Sequence, residues 1–141
     1  MKRDSKLSLA LHALGHMANG PDKAIRSEEL ALIGPTNPVV VRRVLGLLRN
    51  AGLVTSAKGH DGGWRLARAA DAITVADVYR AVGETLFAKP APGPDNPPHC
   101  AIERALHGTM QAALICAEKT LADKLAQVFI ADLAKGMVPP L

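Results

Sequence analysis

Between Asn37 and Ala67 the apolar residues change their spacing once, and that change narrows the possible folds more than any other feature of the chain. Val41, Val44, Leu45 and Leu48 recur at i, i+3, i+4 and i+7, the pattern of one buried stripe along a helix. Asn37 is placed to cap that helix, Pro38 takes its first position, and Gly52 stands where a C-terminal cap belongs. Beyond it, residues 53–58 and 64–67 read as short extended segments. They flank Gly59-His60-Asp61-Gly62-Gly63, a glycine-rich reversal, so this stretch is expected to form a β-hairpin.

The residues ahead of this unit are helical in pattern. Leu7, Ala10, Leu11, Leu14, Met17 and Ala18 predict a helix over residues 4–19, ended by Asn19-Gly20-Pro21. Ser27 reads as the N-cap of a short second helix, with Glu28 and Glu29 in its first turn and a stop at Gly34-Pro35. After the hairpin, Thr74 opens a fourth helix carrying Val75, Val78, Tyr79 and Val82 inward. Residues 88–98 hold five of the ten prolines and form no regular element. From Cys100 to Leu125 neither proline nor a strong break occurs, which predicts one helix about 38 Å long. A last turn or two is expected around residues 129–133.

The expected fold class is therefore mainly α with a small β-hairpin wing. The expected organisation is a winged helix-turn-helix head over residues 1–82, a proline-rich loop over 83–99, and a long helix with its tail over 100–141. On that long helix Ile102, Leu106, Met110, Ala113, Ala117 and Leu121 keep one face apolar, widened by Ala105, Ala112 and Ile115. Such a stripe exceeds what an 80-residue head can cover, so a second copy of the protein is the expected partner. Cys116 falls on the apolar side and is expected to be core.

Charge divides the sequence in the same place. Residues 1–70 carry 11 Lys and Arg against 5 Asp and Glu, a balance of +6, whereas residues 71–141 carry 6 against 8, a balance of −2. A basic front half points to a polyanion. Three helices followed by a hairpin place the third helix in the DNA major groove, which is wide enough for one helix. The residues expected at that surface are Ser27, Asn37, Val39, Val40, Arg42, Arg43, Arg49, and Lys58, Gly59 and His60 at the hairpin tip. Arginine suits guanine or phosphate, valine a thymine methyl, and tip glycines permit close backbone approach.

Three stretches carry a resemblance. Asn37-Pro38-Val39-Val40-Val41-Arg42-Arg43-Val44-Leu45, then residues 48–56, then Lys58 to Ala67 with its Gly62-Gly63-Trp64, resemble the Rrf2 family of bacterial transcription regulators. The resemblance is nearly continuous over residues 37–67 and extends more loosely to the first helix and to the helix that Cys100 begins. It implies a DNA-binding regulator acting as a homodimer on a pseudo-palindromic operator, in the manner of a repressor. It further implies that the helix around 101–125 crosses its counterpart in a second subunit.

Several members of that family hold an iron–sulfur cluster on three cysteines of the loop before the long helix. Here only Cys100 matches, and Ser8 stands where some members place a carboxylate, so no cluster or other cofactor is expected. Ligation by His99, Cys100, Glu103 and His107 is the non-standard alternative. Cys100, at a helix start beside His99, is instead the redox candidate. His12 and His16 share one helix face at a metal-compatible spacing, although solvated or packed histidines are the commoner case. No nucleophile elbow, phosphate-binding loop, HExxH or acid pair is present, so an enzyme is not expected. A winged-helix module that binds protein in place of DNA is the remaining alternative. Two cysteines without framework spacing, and no apolar run of transmembrane length, predict a cytoplasmic protein with no membrane partner, leaving a small-molecule or redox effector open.

Overall fold

The computed structural model describes residues 5–34, 36–84 and 98–137, and the proline-rich stretch 85–97 lies outside them. The elements in order are α1 (Lys6–Asn19), α2 (Ser27–Ile33), α3 (Pro38–Asn50), β1 (Val54–Ala57), β2 (Gly63–Leu66), a 3-10 turn at Ala70–Ala72, α4 (Val75–Val82), α5 (Ala101–Leu125) and α6 (Ile130–Ala134). The fold is a mostly helical winged helix-turn-helix with one antiparallel hairpin and a long C-terminal helix.

Helices α1, α3, α4 and α5 start where a side chain satisfies free amides. Ser5 caps α1 through its hydroxyl, which accepts from the Ser8 N–H at 3.1 Å. A second α1 amide, that of Leu7, donates to the Glu84 carboxylate at 3.0 Å, a negative group at the positive end of the helix. For α2 the sequence expectation fails: the N-cap residue is Arg26, whose side chain makes no capping bond, and Ser27 is already helical and buried. Asn37 caps α3 as expected, its Oδ1 accepting from the Val39 and Val40 amides at 3.0 and 3.1 Å. Gly52 takes a φ of +73° and lets the Leu53 N–H reach back to the Leu48 carbonyl at 2.9 Å, closing α3.

The core gathers the predicted stripes. Leu7, Ala10, Leu14 and Met17 of α1 meet Val41, Val44, Leu45 and Leu48 of α3, with Leu53, Val54, Ile73 and Val78 filling between. Strands β1 and β2 pair from Val54 opposite Leu66 to Ala57 opposite Gly63. The segment that follows α5 also enters this core: Ile130 is fully buried and Val128 nearly so. The Val75 N–H donates to the Val128 carbonyl at 2.8 Å and the Ile130 N–H to the Ile73 carbonyl at 2.9 Å, stitching the end of α5 to the start of α4.

At the start of α4, Thr74 and Asp77 form a reciprocal cap, each side chain accepting from the other's backbone N–H at 3.0 and 3.1 Å. Burial by itself would raise the Asp77 carboxyl. Hydrogen bonds with the Thr74 backbone and side chain, together with the charges of Arg80 and Arg68, outweigh it and hold the group below the usual aspartate value. A depressed folded value stabilises the fold above the unfolded aspartate range of about 3.9, and that contribution is lost as pH falls through the folded value. Asp77→Asn should therefore cost about 1 kcal/mol at pH 7. Its deficit in urea midpoint against the parent should shrink steadily below about pH 4. A deficit of equal size at pH 7 and pH 3 would contradict an ionic role for the cap.

Helix α5 departs from the sequence reading in one respect. None of its residues is buried, but the expected single stripe divides. Leu114, Ala117, Leu121 and Leu125 are partly covered, while Ile102, Leu106, Met110 and Ala113 stand exposed. Cys116, expected as core, is exposed and shares by helical spacing the outward face of Ile102, Leu106 and Ala113. The head covers only the sector of α5 nearest α4, so the remaining apolar positions have no cover among the described residues of the protomer.

Candidate DNA-binding surface

The stripe of α3 faces the core, so its opposite face is fixed by helical geometry. Val39, Arg43, Gly46 and Asn50, spaced i, i+4, i+7 and i+11, run along it, with Val40 and Arg42 to either side. Val39, Val40, Arg42, Arg43 and Arg49 are all exposed. Arg42 is held by an ion pair with Glu28 of α2, which ties the two helices of the helix-turn-helix together on their outer side. Among the described residues no ion pair or hydrogen bond restrains Arg43.

The hairpin is fixed to the head by contacts that sequence spacing does not show. Ile25 and Trp64 exchange both backbone hydrogen bonds, at 3.0 and 2.9 Å, so residue 25 adds a third strand position beside β2. The Trp64 indole N–H donates to the Ser27 hydroxyl at 3.0 Å. Ser27 is thus a buried anchor for the wing, which corrects its assignment to the DNA surface. Gly63 has a φ of +140°, and a Cβ there would lie 2.8 Å from the Ile25 carbonyl oxygen, so only glycine fits between β2 and the Ile25 strand.

Several arginines position the wing as well. The Arg26 guanidinium donates to the His60 carbonyl at 2.8 Å, pinning the tip that carries Lys58, Gly59 and His60. All three tip residues are exposed, and Gly59 takes a φ of +106°. Arg49 donates to the Ser56 hydroxyl at 3.2 Å and sits 5.7 Å over the Trp64 ring, a cation–π contact between α3 and the hairpin. Arg65 donates to the Asp22 carbonyl at 2.8 Å. Arg26, Ile25 and Trp64 carry no DNA-contact signal in the sequence. The strand-like character of Ile25 is a single residue, too short to leave a period.

Away from this surface, Cys100 caps α5, its exposed Sγ accepting from the Glu103 N–H at 3.4 Å. The Glu103 carboxylate accepts from the His99 N–H at 2.7 Å and lies 3.9 Å from His107 Nε2. These residues meet as a helix cap with a histidine close by. Among the described residues no three His, Cys, Asp or Glu side chains converge as metal ligands. His12 and His16 stack with ring centroids 5.5 Å apart on the wall of a cleft of about 360 Å³ between α1 and α6, lined also by Ser8, Asn19 and Leu133.

With this geometry in view, the protein matches the Rrf2 family profile, described as an iron-dependent transcriptional regulator, over residues 3–136. It is 38% identical over 124 residues to YwnA of Bacillus subtilis, named as an HTH-type transcriptional regulator, covering 86% of this chain and 91% of that protein. A crystal structure described as that of a DNA-binding protein superposes with a TM-score of 0.75 at 28% identity, over 92% of this chain and 98% of its own. CymR of B. subtilis, described as its global cysteine regulator, superposes with a TM-score of 0.66 over 98% and 99% of the two chains, and at 22% identity that likeness is one of fold.

An iron–sulfur cluster held by four thiolates of one chain does not fit the donors present here. Iron–sulfur clusters are held mainly by thiolates, typically four. Only two cysteines are present, sixteen residues apart on one straight helix and so about 24 Å apart along its axis. On sequence, head, wing and long helix alike, the chain belongs to the Rrf2 family of winged helix-turn-helix transcriptional regulators.

Proposed function

We propose that the protein works in the cytoplasm as a homodimer that binds a pseudo-palindromic operator and represses transcription by occupying it. The single observation that carries this reading is α5: a 25-residue helix without one buried residue, whose Ile102, Leu106 and Met110 stand 81%, 59% and 47% exposed beside an otherwise complete head. Exposed apolar patches of this kind mark association surfaces. A second copy would present the same stripe, and a two-fold axis between two α5 helices supplies each with the cover it lacks. Two heads so related present two α3 helices to one face of a duplex, the arrangement that palindromic half-sites require.

The test is fluorescence-anisotropy titration of the protein with DNA from upstream of its own gene, at several salt concentrations. Sequence-preferring binding with a stoichiometry of two protomers per duplex is the expected result. Equal, weak binding to every duplex would favour a protein-binding module instead. Arg43→Ala should reduce the slope of log affinity against log salt by about 0.9 for each phosphate contact it removes, without altering the fold. An unchanged slope would place Arg43 off the backbone.

The same reading assigns oxidant sensing to Cys100. Its sulfur is exposed and sits at the first turn of the helix that would join the subunits, so oxidation there adds bulk or a crosslink beside the dimer interface. Oxidation by diamide or peroxide should change DNA affinity in the parent protein and not in Cys100→Ser. An equal response in both would dismiss the thiol as sensor.

A further inference from the structure

Outside α5 and Met137, the large apolar side chains left exposed among the described residues are four: Leu32, Ile33, Val39 and Val40. All four flank the turn from α2 to α3. Valine at an exposed helix start serves neither helix propensity nor packing, and Val39 is 61% exposed. Two of the polar groups nearby are already engaged. Asn37 Oδ1 accepts from two amides of α3, and the Arg42 guanidinium is paired with Glu28. The first turn of α3 therefore presents two adjacent exposed valines, and Arg43 follows one turn further along.

In the major groove the one apolar group on a base edge is the C5-methyl of thymine. A valine set against cytosine N4 or guanine O6 would dry those groups and give them no partner. We propose that Val39 and Val40 read thymine methyl groups, so that each half-site carries thymine where the start of α3 meets the groove, and that Arg42 braces α2 against α3 without reading a base. The inference deepens the DNA-binding reading above and rests on it. Arg43 on α3 and Lys58 on the hairpin are exposed and supply phosphate contacts that fix the register of α3.

Deoxyuridine differs from thymidine only by the missing methyl, which makes it a direct probe. Duplexes selected by the parent protein from a random library would be resynthesised with each thymine replaced singly by deoxyuridine. Loss of about fourfold in affinity is expected for each contacted methyl, the equivalent of about 0.8 kcal/mol of apolar burial. In the double variant Val39→Ala, Val40→Ala that ratio should fall towards one while the salt slope stays as in the parent. Both side chains are exposed, so the fold should be unaffected, as circular dichroism would verify. Arg42→Ala should keep the parent thymine-to-uracil ratio. Equal binding of thymine and uracil duplexes at every position would overturn the inference and leave DNA binding standing. Absence of any salt-dependent duplex binding would remove the DNA-binding reading, and this inference with it.

Discussion

Leu106→Asp combined with Met110→Asp should convert the protein to a monomer and weaken binding to a two-fold-related operator by about a hundredfold or more. Both side chains are exposed on the single protomer, so the substitutions leave the core of the head intact. In a dimer the same positions would bury four carboxylates against apolar surface, each unpaired, at several kcal/mol apiece. The effect on DNA follows from linkage between the heads. Once one head of a dimer is bound, the second meets its half-site at a high effective concentration, and a monomer forgoes that gain. Sedimentation equilibrium reads the mass, and anisotropy on full and half operators reads the rest. Half-site affinity should be unchanged. A variant that still sediments as a dimer would sink the assignment of α5, whatever happened to DNA binding.

The second large effect concerns stability. Gly63→Ala should destabilise the fold by about 2–4 kcal/mol, since it combines a strained φ with a steric conflict. The added Cβ would press on the Ile25 carbonyl at 2.8 Å and on the Ala24 Cβ at 3.2 Å. Neither the backbone of Ile25 nor that of Trp64 can withdraw without breaking their two mutual hydrogen bonds. For a protein of this size the melting temperature should drop by roughly 6–12 °C. Gly108→Ala makes the opposite control. That glycine lies within α5 with nothing within 4 Å of where a Cβ would stand, so alanine should stabilise by about 0.5–1 kcal/mol. If Gly63→Ala melts within a degree or two of the parent, the close approach at Ile25 is not a constraint in solution.

What can be read from the sequence is what repeats locally. Val41, Val44, Leu45 and Leu48 announce α3 because a helix returns to the same face every three or four residues, and Asn37-Pro38 announces its start because capping is short-range. The hairpin is legible for the same reason, its glycines lying between two short extended runs. The anchoring of the wing is hidden, because Ile25 and Trp64 are 39 residues apart and one residue carries no period. Ser27 misleads for a related reason: serine before two glutamates is what a cap looks like, and nothing local reveals that an indole will claim its hydroxyl. In α5, periodicity shows that the apolar surface is too broad for one neighbour. It cannot show which positions the protein's own head will cover, since that depends on where α4 lies.

The exposed valines belong to a third class. Helical spacing sets them off the stripe of Val41, Val44, Leu45 and Leu48, so their place at the DNA surface is legible in the sequence. The occupied Asn37 carbonyl and the engaged Arg42 become apparent only in three dimensions.

Ile130 and Val128 lie in the core beneath α1 and α4 although they follow the long helix in sequence. A premature stop codon anywhere upstream of them consequently yields no truncated but functional half: the missing residues are part of what holds the recognition surface together. Such a fragment, unfolded and open to proteolysis, would be cleared before it paired with an intact copy. Nonsense alleles of the gene should then behave as simple losses, recessive to a working copy, and not as poisons of the mixed assembly.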